Sequence, residues 1–155
     1  MKGKTLMLGV EIDGKFHTVA YATSHTFETS AQTGEITTKD HPGDCADFEV
    51  TGFSWSISTD NLVEDSKTAV ACGYNVMMKA AKNKLPVNVS LSYFEDAENG
   101  ETIESTNYVD WFEKGTPVAV ITGKALITSI ELNAPNKQNA TFKATLTGKG
   151  AFTIG

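Results

Sequence analysis

The side chains of this chain with chemistry to offer are three histidines, two cysteines, nineteen acidic residues and its many serines and threonines. His17 and His25 sit in Thr-rich, strand-like surroundings, and neither has a second His or Cys at a metal-ligand spacing. His41, Asp44 and Cys45 are close enough in sequence to hold zinc. Pro42-Gly43 between them reads instead as a loop whose polar residues stabilise turns by local hydrogen bonds. Cys45 and Cys72 lack CxxC spacing and read as free thiols of a reducing compartment. Asp96-x-Glu98-x-Gly100 superficially matches a calcium loop but lacks the EF-hand order of ligands, so a solvated loop is the better reading. Ser54 and Ser56 flank Trp55 with no credible base nearby. No nucleophile elbow, P-loop or dinucleotide fingerprint occurs, and carboxylate pairs of the glycosidase kind are offered by any acidic chain. The expectation is a structural or binding protein rather than an enzyme, with no catalytic, cofactor or metal residues.

The elements that would carry these residues are mostly strands. Leu6, Leu8, Val10 and Ile12 alternate, and Asp13-Gly14 follows as a two-residue hairpin turn to a return strand through Val19 and Tyr21. Residues 24–30 and 34–38 read as polar-faced strands or loop. Phe53, Trp55 and Ile57 alternate with Ser54, Ser56 and Ser58, which predicts all three apolar side chains in the core. Val87 to Tyr93, Leu126 to Leu132 and Ala140 to Leu146 repeat the pattern, the last placing Phe142 in the core. One segment differs. Tyr74, Met77, Met78 and Ala81 fall on one face of a predicted helix over about residues 74–84, stopped by Pro86, with Met77 as core filling. Two long polar loops are predicted, at about 30–47 and at the acidic stretch 95–113.

The length of 155 residues fits a single domain spanning 1–155. A net charge of −6 argues against a phosphate-gripping surface. No apolar run approaches a membrane span, and the N-terminal apolar run is broken too early for a signal peptide. A cytoplasmic site of synthesis is expected.

Several motifs occur together in order. Lys2-Gly3-Lys4-Thr5-Leu6 opens the chain, and Thr37-Thr38-Lys39-Asp40 precedes Gly52-Phe53-Ser54-Trp55-Ser56-Ile57-Ser58. Pro86-Val87-Asn88-Val89 follows the helix. The chain closes with Gly123-Lys124-Ala125-Leu126-Ile127-Thr128-Ser129-Ile130 and Ala134-Pro135, then Ala140-Thr141-Phe142 and Gly148-Lys149-Gly150. The combination resembles the major tail protein, or tail tube protein, family of siphophages (the TP901-1-like kind). Two departures are the loop after Asp40, where the family often carries a Trp, and the acidic insertion at 95–113.

The resemblance implies a mainly β fold, a tail-tube-type β-sandwich or partial barrel with one short flanking helix. It implies six copies in a ring joined edge to edge, with rings stacked into a hollow conduit for DNA ejection. It also places Thr37, Lys39, Asp40 and Asp44 at inter-ring or inter-subunit contacts. The implied partners are further copies of the chain, a tape measure protein, a tail terminator and baseplate or tail-tip proteins. DNA is passing cargo only, and no membrane is involved. The implied location is the virion tail, assembled in the host bacterial cytoplasm. Two alternatives stay open at this point: a related type VI or contractile injection tube, and a ligand-binding β-sandwich with exposed aromatics such as Trp55 and Trp111.

Overall fold

A computed structural model describes residues 6–35, 48–63, 72–94 and 110–155. Its elements in chain order are β1 (Leu6–Ile12), β2 (Lys15–Thr18), β3 (Ala22–Glu35), β4 (Phe48–Leu62), α1 (Tyr74–Lys82), β5 (Val87–Tyr93), α2 (Trp111–Lys114), β6 (Val118–Asn133), β7 (Thr141–Gly148) and β8 (Thr153–Ile154). The fold is mainly β, as expected. Asp13 and Gly14 both take positive φ (53° and 83°), the geometry a two-residue hairpin needs to match strand twist, and Ile12 pairs with Lys15 across the turn.

The strands form one antiparallel sheet in the order β2-β1-β5-β6-β7-β4-β3, with β8 added to β6. Two features roll this sheet up. First, β6 serves two neighbours in succession: its start pairs with β5 up to Ala125↔Val87, and its remainder pairs with β7 from Ala125↔Gly148 onward. Second, β2 and β3, at opposite ends of the order, are joined by only three residues. Val19 still donates its N–H to Leu8 O (3.0 Å), while Tyr21 O already accepts from Leu62 N–H (3.1 Å). Tyr21, at φ 52°, makes the corner. Four Cα steps of about 3.8 Å cannot span an open eight-stranded sheet, so its two ends must meet there. The inner faces of both halves accordingly share one core, in which Leu8, Val10, Val89 and Leu91 join Trp55, Ile57, Phe142 and Leu146. The expected sandwich or partial barrel is thus a single sheet folded on itself.

Helix α1 ends at Lys82, two residues short of the expected boundary, because Asn83 caps it and Lys84 turns left-handed (φ 56°) ahead of Pro86. Gly73 offers no side-chain cap at its start. Burial of Met77 and edge-to-face packing of Tyr74 on Phe142 (ring centroids 5.5 Å apart) hold the helix instead.

Three expectations change. Phe53 is on the same face as Trp55 and Ile57 but is 62% exposed, not core. The last β4–β7 pair is Ser56↔Thr147, so β4 continues past the end of β7 and nothing covers the face at Phe53. Residues 30–35, read as loop, belong to β3 and pair with β4 as far as Glu35↔Phe48. The end of the acidic stretch is not a solvated loop, since Asp110 and α2 pack on β2. Its preceding part, 95–109, lies outside the described residues, as do Thr37, Lys39, Asp40 and Asp44.

Candidate functional site

The side chains that face away from the core on β3, β4, β7 and β6 form a continuous surface. Directly paired residues of an antiparallel sheet share a face, so the register defines rows across it. One row runs Thr26, Ser58, Thr145, Ser129. The next runs Glu28, Ser56, Thr147, Leu126, with Thr128 and Thr147 hydroxyls 2.9 Å apart. A third runs Ser24, Asp60, Lys143, Glu131. The surface is therefore dominated by hydroxyls, and its single lysine is flanked by two carboxylates.

This four-stranded half of the sheet has two open edges among the described residues. β3 ends the strand order, so no described strand pairs with its outer edge. β6 from Leu126 to Asn133 pairs with β7 on one side only. Open edges of this length are templates for pairing with another chain. The strands run alternately up and down in the order β3, β4, β7, β6. A second copy's β6 laid beside β3 would therefore continue the antiparallel alternation unbroken.

Beyond Ser56↔Thr147, β3 and β4 run on as a two-stranded ribbon. Ala31 pairs with Phe53, and an irregularity between Gln32 and Thr33 brings Val50 opposite Thr33, on the same face as Phe53. Phe53 and Val50 are 62% and 64% exposed. An isolated two-stranded ribbon is marginally stable in water, and this one carries its apolar face uncovered.

At the ribbon's base, Trp55 is buried. Its indole lies across Gly123 of β6 and Gly148 of β7, and its Nε1–H donates to Gly150 O at 2.8 Å. Phe27 and Phe152 close around it, with centroids 6.0 and 5.9 Å away. That removes the exposed Trp55 required of a ligand-binding groove.

A buried polar chain runs beneath the charged row. Thr59 Oγ1 donates to Asn61 Oδ1 (3.0 Å), and having only one hydrogen it must accept from His25 Nδ1–H (3.0 Å). His25 is held neutral: burial lowers its pKa to about 4, partly offset by nearby Asp60. Asn61 Nδ2, also buried, has no partner among the described residues.

The acid–base pair that the structure does form is His17 Nδ1 with Asp110 Oδ2, at 2.5 Å. Asp110 Oδ1 also accepts the Thr18 N–H (3.1 Å), and Phe112 packs on Phe94 and Phe16 with centroids 5.0 and 5.9 Å away. A Cβ at Gly9 would come within 2.5 Å of the Phe112 ring, so glycine leaves the ring its seat. The pair is a clasp that holds α2 on the first hairpin. Among the described residues, no three His, Cys, Asp or Glu side chains are placed to share a metal ion.

Of the residues singled out by sequence, Trp55, Ile57, Met77 and Phe142 are buried together in the core, and Phe53 stands outside it. Edge-to-edge joining was implied by the resemblance, but which strands carry the open edges, the ribbon and the Asn61 amide without a described partner were not identified from sequence. The run of Ser and Thr opposite the apolar positions was the only signal of the outer face.

Comparison with known proteins accords with this geometry. The sequence profile of a family described as phage tail tube protein matches residues 1–154. No curated protein sequence matches the chain. Among solved structures, the tail of an empty GTA particle refined with C6 symmetry is similar, with 16% identity, 100% of this chain and 98% of that one covered, and a TM-score of 0.71. The SPP1 tail tube is similar at 12% identity, with 97% and 76% covered and a TM-score of 0.65. The sheath–tube complex of an extracellular contractile injection system (PVC) shares 15% identity, with 100% and 92% covered and a TM-score of 0.52. At these identities the structural matches establish the shared fold.

Proposed function

The chain belongs to the phage tail tube protein family and is a tail tube subunit of the virion, and on that premise we propose how its copies assemble. Six subunits close a ring through their two open edges, and rings stack into a hollow conduit for DNA. The observation that carries this reading is the pair of open edges on opposite sides of one four-stranded half-sheet with alternating strand direction. The contact joins unlike surfaces, so it is head to tail and closes when the rotation per subunit divides a full turn.

The dimensions are consistent. Four strands from each of six copies make a barrel of 24 strands. At about 4.7 Å per strand and a tilt near 40°, the barrel is roughly 47 Å across at the backbone. Inward side chains of about 5 Å on each wall leave a bore of roughly 35 Å, wide enough to pass a B-DNA duplex. The hydroxyl-rich face lines that bore. Lys143 lies in register between Asp60 and Glu131, so carboxylates outnumber the cation in that row and the wall is wet without gripping phosphate.

The ribbon, projecting past its own core with no other described strand beside it, makes the contact between successive rings. The segment holding Thr37, Lys39, Asp40 and Asp44 continues from its end and belongs to that contact. The bore accommodates a tape measure protein during assembly, and the two ends of the stack present unlike faces to a terminator and to a baseplate or tail tip. Negative-stain electron microscopy of concentrated protein tests this: hollow tubes with six-fold end views are expected. Solid filaments, or a monomer at every concentration, would refute it.

A further inference from the structure

Helix α1 carries a lysine face on an otherwise acidic protein. Lys79 and Lys82 are exposed on one side of the helix, and Lys84 follows just past the C-cap at Asn83. Among the described residues none of the three makes an ion pair. The negative end of the helix dipole favours lysine in the last turn, at 79 and 82, but its influence fades before Lys84. It also does not explain Leu85, which keeps more than half of its surface in water beside these charges.

The strands set the place of this patch. Val87, at the start of β5, pairs with Ala125, and past that pair β6 runs on with no described strand on its β5 side. Lys84 precedes Val87 by three residues, a span of at most about 11 Å. Lys84 and Leu85 therefore flank the beginning of the open β6 edge. The opposite side of the subunit, where β2 and β3 meet, carries Asp110, which accepts the Thr18 N–H and is joined to His17. Residues 95–109 lead into Asp110 and lie outside the described residues. Their composition is one-sided: Glu95, Asp96, Glu98, Glu101 and Glu104, with no lysine or arginine. Ile103 stands between Glu101 and Glu104 much as Leu85 stands beside Lys82 and Lys84.

Edge-to-edge closure of the ring lays the β6 side of one copy against the β2–β3 side of the next. We infer, building on the ring reading above, that the lysine face of α1 with Leu85 receives the acidic segment 95–109 of the adjacent copy in the same ring. Opposite charge favours the contact. Chain length permits it, since fifteen residues between Phe94 and Asp110 can extend roughly 25 Å and return. The seam is then closed twice, by main-chain pairing at the inner barrel and by charge outside it. The charges also fix direction, because two β6 sides brought together would set lysine against lysine.

Exposed ion pairs are individually weak, so the test reverses three charges at a time. One variant combines Lys79→Glu, Lys82→Glu and Lys84→Glu. The other combines Glu98→Lys, Glu101→Lys and Glu104→Lys. At two units per reversal, the net charge moves from −6 to −12 in the first and from −6 to 0 in the second. The readout is the lowest protein concentration at which pelleting and negative-stain microscopy detect tubes. Each variant alone should need about tenfold more protein than the unmodified chain. Salt at about 1 M, which shortens the screening length to ~3 Å, should remove that difference. Mixed in equal amounts, the two should assemble at the unmodified concentration, because copies alternating around a six-membered ring place opposite charges at every seam. A chain carrying all six changes should do so by itself. Rescue by that chain without rescue by mixing would put the contact within one copy and overturn the inference. A second variant that assembles as well as the unmodified chain, or better, would overturn it too, since net charge alone predicts that result, and would leave the ring reading standing. No rings from the unmodified protein at any concentration would remove the ring reading and this contact with it.

Discussion

Substituting Gly148 by Ala tests the packing that supports the ribbon. A Cβ at Gly148 would fall inside the van der Waals envelope of Trp55 at Cε2, Cδ2 and Nε1, and a Cβ at Gly123 would come within 2.7 Å of Cζ2. The neighbour that must yield is a rigid bicyclic ring, pinned by its hydrogen bond to Gly150 O and by Phe27 and Phe152. If the surroundings give way, the cost is that of overpacking, about 1–3 kcal/mol. If the indole is expelled, the cost approaches that of deleting a buried aromatic, about 3–5 kcal/mol. The small gain from restricting the unfolded chain, about 0.4–1 kcal/mol, offsets little of this. A loss near 3 kcal/mol lowers Tm by roughly 6–12 °C in a chain of this size. Urea titration of the unassembled subunit, followed by tryptophan fluorescence or circular dichroism, measures it. The decisive comparison is a double-mutant cycle with Trp55→Ala. Once the indole is gone, Gly148→Ala should cost less than about 0.5 kcal/mol, giving strong non-additivity. A neutral Gly148→Ala, or equal costs in both backgrounds, would refute the reasoning.

Four further outcomes are expected. The unfolded chain protonates His25 near pH 6.5 and the folded one only near pH 4, so stability falls as pH drops through that interval, by about 3 kcal/mol in total. His25→Gln should flatten the urea midpoints across it, and an unchanged acid profile would exclude His25 as the cause. Phe53→Ser, at an exposed position, should change subunit stability by less than about 0.5 kcal/mol yet prevent tube formation, whereas a large loss of stability would mean the ring is packed within its own subunit. Asp110→Ala leaves His17 and the Thr18 N–H without their carboxylate and should cost about 1–3 kcal/mol in urea unfolding; a neutral result would show that the clasp is incidental. Intact tubes should show no measurable affinity for duplex DNA at physiological salt in a sedimentation assay, and tight, salt-sensitive binding would contradict a non-gripping bore.

Much of the fold is legible in the chain because strand alternation is a local property. The two-residue period assigns Trp55 and Ile57 to one face and Ser54 and Ser56 to the other without knowledge of any neighbour. Asp13-Gly14 specifies its hairpin for the same reason, since the positive φ values belong to those two residues. Tyr74, Met77 and Ala81 mark one helix face by their spacing alone. The ordered motifs also carried the family resemblance.

The tertiary structure decided where each face stops being covered. Phe53 and Trp55 are equivalent by alternation, yet one is exposed and the other buried, because β7 ends at Gly148 and the register places that end opposite the base of the ribbon. Asp110 looks like the other acids of its stretch until the fold brings it to His17, 93 positions away in the chain. Gly123 and Gly148 acquire their role only when Trp55 is laid across both. The unpaired side of β6 exists because its partner on that side, β5, pairs no further than Ala125. Each of these depends on the register and relative length of strands far apart in sequence. That information resides in pairings between segments, and no local period of either segment contains it.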